Sequence, residues 1–181
     1  MPRQRTGDTR ARIQQAALEL FAVRGMQQTS LQDIADRLGV TKPALYYHFA
    51  SREDLLNSLV EPMIADFEAY AAALREAAPV PPRELLGSYF DLAYRHRAMI
   101  QLAIRDLSVL HELKLADRFI EWRGALAELL IGTAPSLQDV VRCMVALGGL
   151  SDCAVMIEHT PVSELREAAV EAAYDSLGRP A

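Results

Sequence analysis

The chain has 181 residues and a formal net charge of −5, enough length for one or two small domains with a buried core. Hydrophobic residues make up 51% and charged residues 24%, which excludes a disordered chain. The longest apolar stretch, Val140 to Ile157, is interrupted by Arg142 and Asp152, which excludes a membrane span.

In chain order, the N-terminus lacks the apolar run of a signal peptide, so a cytoplasmic protein is expected. The patterning that follows is helical throughout, with no alternating apolar run bounded by hairpin turns. Ile13, Ala16, Ala17, Leu20 and Phe21 fall on one helical face, and Gly25 is a left-handed cap candidate ending that helix. Ser30 opens a second helix with Asp33 three residues on, a capping-box spacing, and Leu31, Ile34, Ala35 and Leu38 form its apolar stripe. Gly39 suits a tight turn. Thr41 caps a short third helix with Pro43 in its first turn, where a missing N–H costs nothing, and Leu45 and Phe49 are its core candidates. Ser51 and Asp54 repeat the cap pattern and open a long helix through Leu74.

Pro62 lies inside that long helix, removes one backbone bond to Ser58, and is expected to kink or split it. A bend there would lie between head and body, so Pro62→Ala should alter any coupling between them. Pro79, Pro81 and Pro82 form the clearest break. Five further helical stretches follow at about 83–94, 96–107, 111–131, 136–158 and 162–177. The only cysteines are Cys143 and Cys153. On one helix they would stand about 15 Å apart along the axis, which excludes a disulfide between them, and two fall short of a structural zinc site.

Charge is unevenly distributed. The first 52 residues hold eight Lys/Arg against four acids, a net +4, and the remainder 11 against 20, a net −9. A basic head on an acidic body points to a polyanion as the head's partner. Residues Leu31 to Phe49 also have the parts of a helix-turn-helix: two short helices, a tight turn at Gly39 and core positions between them. The second helix offers Lys42, Ala44, Tyr46, Tyr47 and His48. This mixture of cation, methyl and hydroxyl suits phosphates and base edges in a major groove.

The run Ile13-Gln-Gln-Ala-Ala-Leu-Glu-Leu-Phe21, then Gly25, Thr29-Ser-Leu-Gln-Asp-Ile-Ala35, Leu38-Gly-Val-Thr-Lys-Pro-Ala-Leu-Tyr-Tyr-His-Phe49 and Ser51-Arg-Glu-Asp-Leu55 resembles the N-terminal domain of TetR-family transcriptional regulators. The resemblance covers about residues 9–56. It implies an all-α fold of about nine helices. Residues 1–52 would be a three-helix DNA-binding domain, and 53–181 a helical effector-binding and dimerisation domain. It also implies a ligand-responsive regulator, a repressor, binding a pseudo-palindromic operator as a homodimer and released by a small apolar or amphipathic effector. Double-stranded DNA and a second copy would be its partners, with no membrane among them. Thr41 and Lys42 stand where the family contacts DNA, and Ser30 near another phosphate contact. Ala44 would face a base. Tyr46, Tyr47 and His48 would meet phosphates or base edges, with one tyrosine partly in the core. Arg52 replaces the family's usual Lys and keeps a charge that can fork onto a phosphate. Arg3, Arg5 and Arg10 form either an arm onto the DNA or a disordered tail.

Tyr70, Tyr89, Phe90, Tyr94, Met99, Leu102, Trp122 and Met144 lie on apolar faces of the body helices, as core or as lining of an effector cavity. Asp152, in an apolar helix, would need a partner if buried: a ligand, a dimer mate or Arg142. Gly148 and Gly149 in mid-helix cost about 1 kcal/mol each against Ala, which suggests close approach of another backbone. With Ala168 and Ala172 on the last helix they form a candidate dimer seam. His96, His111 and His159 show no metal-binding spacing, and nothing near Cys153 lowers its pKa toward a redox role. A Gly-rich phosphate loop, a nucleophile elbow and paired metal ligands are all missing from the sequence, so no enzyme and no cofactor beyond the effector are expected. A helical protein-binding adaptor without DNA binding is the competing reading.

Overall fold

The computed structural model describes residues 6–76, 80–105 and 115–178. These residues form nine helices, and no strand occurs among them. The helices are α1 (Thr6–Arg24), α2 (Leu31–Leu38), α3 (Lys42–His48), α4 (Arg52–Glu76), α5 (Pro82–Arg95), α6 (Arg97–Arg105), α7 (Leu115–Ile131), α8 (Leu137–Met156) and α9 (Val162–Ser176). The all-α architecture expected from the sequence is the one adopted. Arg3, Arg5, Pro79 and His111, and the expected helical residues 106–107 and 111–114, lie outside the described residues.

The chain divides into two compact units, Met1–Ile64 with Leu102–Leu113, and Ala65–Gln101 with Lys114–Ala181. In the first unit, local chemistry sets each helix end. Ser30 accepts from the Asp33 N–H at 3.2 Å while its own N–H donates to the Asp33 carboxylate at 2.8 Å. That reciprocal pair satisfies two orphan donors at the start of α2. Gly39 ends α2 at φ 65°, its N–H donating to the Ala35 and Asp36 carbonyls. A residue with a Cβ is strained there. The Thr41 hydroxyl accepts from the Ala44 N–H and starts α3. Ser51 does the same for Asp54, at 3.0 Å, at the start of α4. Beneath these caps Ile13, Ala17, Phe21, Ile34, Ala35, Leu45, Phe49, Leu55 and Val60 are sealed from solvent. A fully buried side chain of the Leu or Phe class contributes about 1.5–3 kcal/mol.

Pro62 does not split α4. The helix runs unbroken from Arg52 to Glu76. The carbonyl Pro62 leaves without an N–H is that of Ser58, and the Gln14 side-chain amide of α1 donates to it at 3.3 Å and to the Ser58 hydroxyl at 3.0 Å. A side chain supplies the donor that the proline lacks.

The second unit is held by side chains far apart in sequence. Helix α9 packs on α8 and on α5, α5 packs on α8, and α7 packs on α8. Phe67 stacks on Trp122 with ring centroids 4.8 Å apart, and Phe119 meets both edge-on. Such pairs add about 0.5–1.5 kcal/mol each beyond area burial. Arg166 forks onto Asp91 at 2.7 and 3.0 Å, and Arg83 forks onto Glu171. His96 shares the Asp66 carboxylate with Arg95, at 2.9 and 3.2 Å. Cys143 and Cys153 are both free thiols. Among the described residues no helix is long and apolar enough to cross a membrane, and no group of three or more His, Cys, Asp or Glu is placed to hold a metal ion.

Candidate nucleic-acid interface

Helix α3 is seven residues long, and its two faces differ sharply. Leu45, and Phe49 just after the helix, are fully buried. Lys42, Ala44, Tyr46 and Tyr47 are exposed, the two tyrosines at 43% and 79%. The expectation that one tyrosine enters the core is therefore corrected. Leu45 fills that place, because only one α3 residue between the cap and Phe49 points down into the first unit. His48 is half-buried, its ring edge-on to Tyr47 with centroids 5.3 Å apart. Lys42 Nζ lies 5.8 Å from the Tyr46 ring. One side of α3 thus presents a cation, a methyl group, two phenols and an imidazole on a helix anchored by its opposite face. Such a surface can pair with phosphate oxygens and base edges.

The exposed caps have local roles. The hydroxyls of Ser30 and Thr41 accept backbone N–H bonds at their own helix starts. The Ser30 hydrogen bond holds the Asp33 carboxyl below the usual carboxylate range, which keeps a negative charge at the positive end of α2. Arg52 points inward. Its guanidinium donates to the Met26 carbonyl, and its Nε is buried with no hydrogen-bond partner. It ties the start of α4 to the turn after α1. Arg10 stays exposed while donating to the His48 carbonyl at 2.7 Å and lying 4.2 Å above the Phe49 ring. It thereby fastens the end of α3. Neither contact has a signature in sequence spacing, since the partners are 26 and 38 residues away.

The candidate ligand residues do not converge on one opening. Trp122 borders a cleft between α4 and α7 that also holds Glu68, Arg75 and Arg118. Met144, 68% exposed, borders a groove between α7 and α8. Tyr89, Phe90 and Met99 are buried. Phe90 stacks on half-buried Tyr94 at 5.9 Å, and the Tyr70 hydroxyl bonds Ser88 at 3.0 Å. Leu102 is buried too, but groups with the first unit. Asp152 is exposed, on the face of α8 opposite the core residues Ala146, Leu150 and Ala154, so burial within this chain imposes no partner on it.

Of the candidate seam residues, Gly149 has open space where a Cβ would stand, and Ala168 and Ala172 are exposed. Gly148 has a neighbour within its own chain: a Cβ there would lie 3.3 Å from the Arg123 guanidinium. Leu137, Val141, Val145 and Met156 stand exposed along α8, at 80%, 52%, 60% and 57%.

Comparison with known proteins places these features. Residues 13–59 match the model of the bacterial regulatory proteins of the tetR family. The HTH-type transcriptional regulator TtgR of Pseudomonas putida is 35% identical over 88 residues, covering 46% of this chain and 42% of that protein. The class A tetracycline repressor protein of Escherichia coli is 28% identical over 183 aligned residues, covering 90% of this chain and 79% of that one. The ketosteroid transcriptional regulator KstR2 of Mycobacterium tuberculosis has a solved structure that superposes with a TM-score of 0.71 at 19% identity, over 96% of this chain and 95% of that one. The last likeness is one of fold. The chain spans less than half the length of TtgR in their match.

Proposed function

We propose that this chain, whose residues 13–59 match the model of the bacterial regulatory proteins of the tetR family, is a transcriptional repressor. It binds a pseudo-palindromic operator as a homodimer and releases it on binding a small-molecule effector. The observation that carries this reading is the exposed face of α3, where Lys42, Ala44, Tyr46 and Tyr47 stand on a helix capped at Thr41 and rooted by Leu45. An α-helix fits the major groove. Lys42 serves as a phosphate contact, Ala44 as an apolar contact to a base edge, and Tyr46, Tyr47 and His48 as donors to phosphates or bases. Ser30, Thr41, Arg10 and Arg52 shape and hold this surface, and the Ser30 and Thr41 hydroxyls serve as further phosphate contacts.

The exposed apolar side chains along α8 support the homodimer, since soluble monomers rarely leave a contiguous apolar stripe uncovered. The small exposed residues Gly149, Ala168 and Ala172 allow another helix to approach closely. Two-fold symmetry would then place two copies of α3 in successive major grooves. The effector acts by binding one arrangement of the dimer better than another. A soluble protein working on cytoplasmic DNA follows from the same reading.

The test is selection of bound duplexes from a random DNA pool, with the protein and with its Tyr46→Ala/His48→Ala double variant. Enrichment of an inverted repeat by the first and not by the second is expected. No enrichment at low salt by folded protein overturns the reading. Once an operator is in hand, Lys42→Ala should lower the slope of log affinity against log salt by about one unit.

A further inference from the structure

The groove between α7 and α8 combines an apolar wall with one charge. Ile120, Ala127, Ile131, Val140, Met144 and Leu147 line its 290 Å³, with Arg123 at its side. Arg123 is half-buried. No carboxylate among the described residues comes within 4.0 Å of its guanidinium; that holds too for Arg75 and Arg142 of the same unit, which are exposed, whereas Arg83, Arg118 and Arg166 are paired. The guanidinium reaches across to α8, where the absent side chain of Gly148 leaves it room; a Cβ would stand 3.3 Å from Nη2. Its charge is felt by two neighbouring groups. Burial pushes both the Tyr89 hydroxyl and the Cys143 thiol above their ordinary ranges; Arg123 opposes the rise in each case, and the Asp152 carboxylate adds to it at Tyr89. Arg123 thus supplies the one charged side chain among the residues that line the groove.

We propose that this groove is a binding site for a small amphipathic monocarboxylate. The carboxylate lies on the Arg123 guanidinium, and the hydrocarbon body lies along Ile120, Ala127, Val140 and Met144. A guanidinium fork matches a carboxylate in geometry and charge. An apolar pocket with one convergent charged group fixes such a ligand's direction as well as its location. An unpaired, half-buried cation is satisfied by an anion, which selects an acid over an alcohol or amine of the same body. The ligand class stands on the groove alone, and only its role as the effector rests on the regulator reading.

Octanoate is the probe, titrated into the full chain by isothermal calorimetry without DNA. Saturable one-site binding is expected, weakened at least about tenfold by Arg123→Met, the loss expected for a hydrogen bond to a charged group. Arg123→Lys should retain part of the affinity. Octanol should bind wild type more weakly than octanoate and be indifferent to Arg123→Met. Ile120→Asp changes a 71%-exposed position. It sets a competing carboxylate one turn from Arg123, should weaken octanoate as well, and keeps the test open if Arg123→Met fails to fold. Octanoate and octanol binding alike, equal octanoate affinity in wild type and both variants, or no octanoate binding because a second copy covers the groove would each overturn the proposal.

Discussion

The two units of this molecule are built by different means. In the first, each turn carries its own instruction: Ser30 and Asp33 start α2, Gly39 stops it, Thr41 starts α3, and Ser51 starts α4. In the second, the defining contacts join residues dozens of positions apart, such as Phe67 with Trp122, Asp91 with Arg166, and Arg83 with Glu171. The first unit holds an exposed surface rigid from behind. The second leaves clefts and a groove between helices. An exposed helix face is specified locally, whereas the space between helices is specified by how long helices cross.

Substitutions can break or sharpen this contrast. The largest effect is expected from Phe49→Ala, which empties a fully buried site in the small first core and should cost about 3–5 kcal/mol in urea unfolding followed by circular dichroism. A loss below 1 kcal/mol would mean that the turns alone hold α3. Next, Gly39→Ala has open space for its Cβ, so its cost is purely conformational, about 1–2 kcal/mol for an L-residue in the left-handed region. An unchanged midpoint would show that the turn relaxes. Ser30→Ala and Ser136→Ala form a matched pair, because each removes a capping box with Asp at its third position, one in each unit. Both should cost about 1 kcal/mol. A much smaller loss at Ser136 would show that packing, and not its cap, starts α8.

Gln14→Leu should cost about 1 kcal/mol or less by stranding the Ser58 carbonyl, and Gln14→Leu/Pro62→Ala should recover it, because alanine restores the backbone N–H. Lack of recovery would separate the two residues. The smallest effect concerns acid. The hydrogen bond from His96, and then that from Arg95, hold the Asp66 carboxyl below its usual range. Its stabilisation is present above the unfolded value of about 3.9 and fades as pH falls through the lower folded value. Asp66→Asn should therefore flatten the stability profile below about pH 4 and leave its slope at neutral pH unaltered. An unchanged acid limb would show that the Asp66 carboxylate adds no stability.

The contrast between units also explains what the sequence made legible. Ser30, Asp33, Gly39 and Thr41 announce themselves because their partners lie within four residues, so spacing alone names them. The family likeness lies in the same stretch for the same reason. The charge of Arg52 and Arg10 is visible in sequence, while the direction of each side chain, onto the Met26 and His48 carbonyls, is not. Pro62 looked like a break because the donor that compensates for it, Gln14, lies 44 residues upstream of Ser58. Asp152 stands among apolar sequence neighbours, yet helical periodicity turns it away from the core residues. The ligand candidates, Tyr70 through Met144, carried the right chemistry and no information on helix crossing, so they scattered over two openings and the core. Arg123 drew no notice because a lone arginine between Trp122 and Gly124 matches no motif.

The aromatic stack of the second unit has a practical consequence. Trp122 is the chain's single tryptophan, and it is 7% exposed against Phe67 and Phe119. Intrinsic fluorescence excited at the indole band therefore reports on that stack and carries no direct signal from α1, α2 or α3. Helical circular dichroism weights every helix in proportion to its length. Recording both on one denaturation divides the molecule by spectroscopy. Coincident curves mean that the two units melt as one cooperative body. An early dichroism loss at constant emission wavelength means that the first unit opens while the second, around Trp122, stays closed.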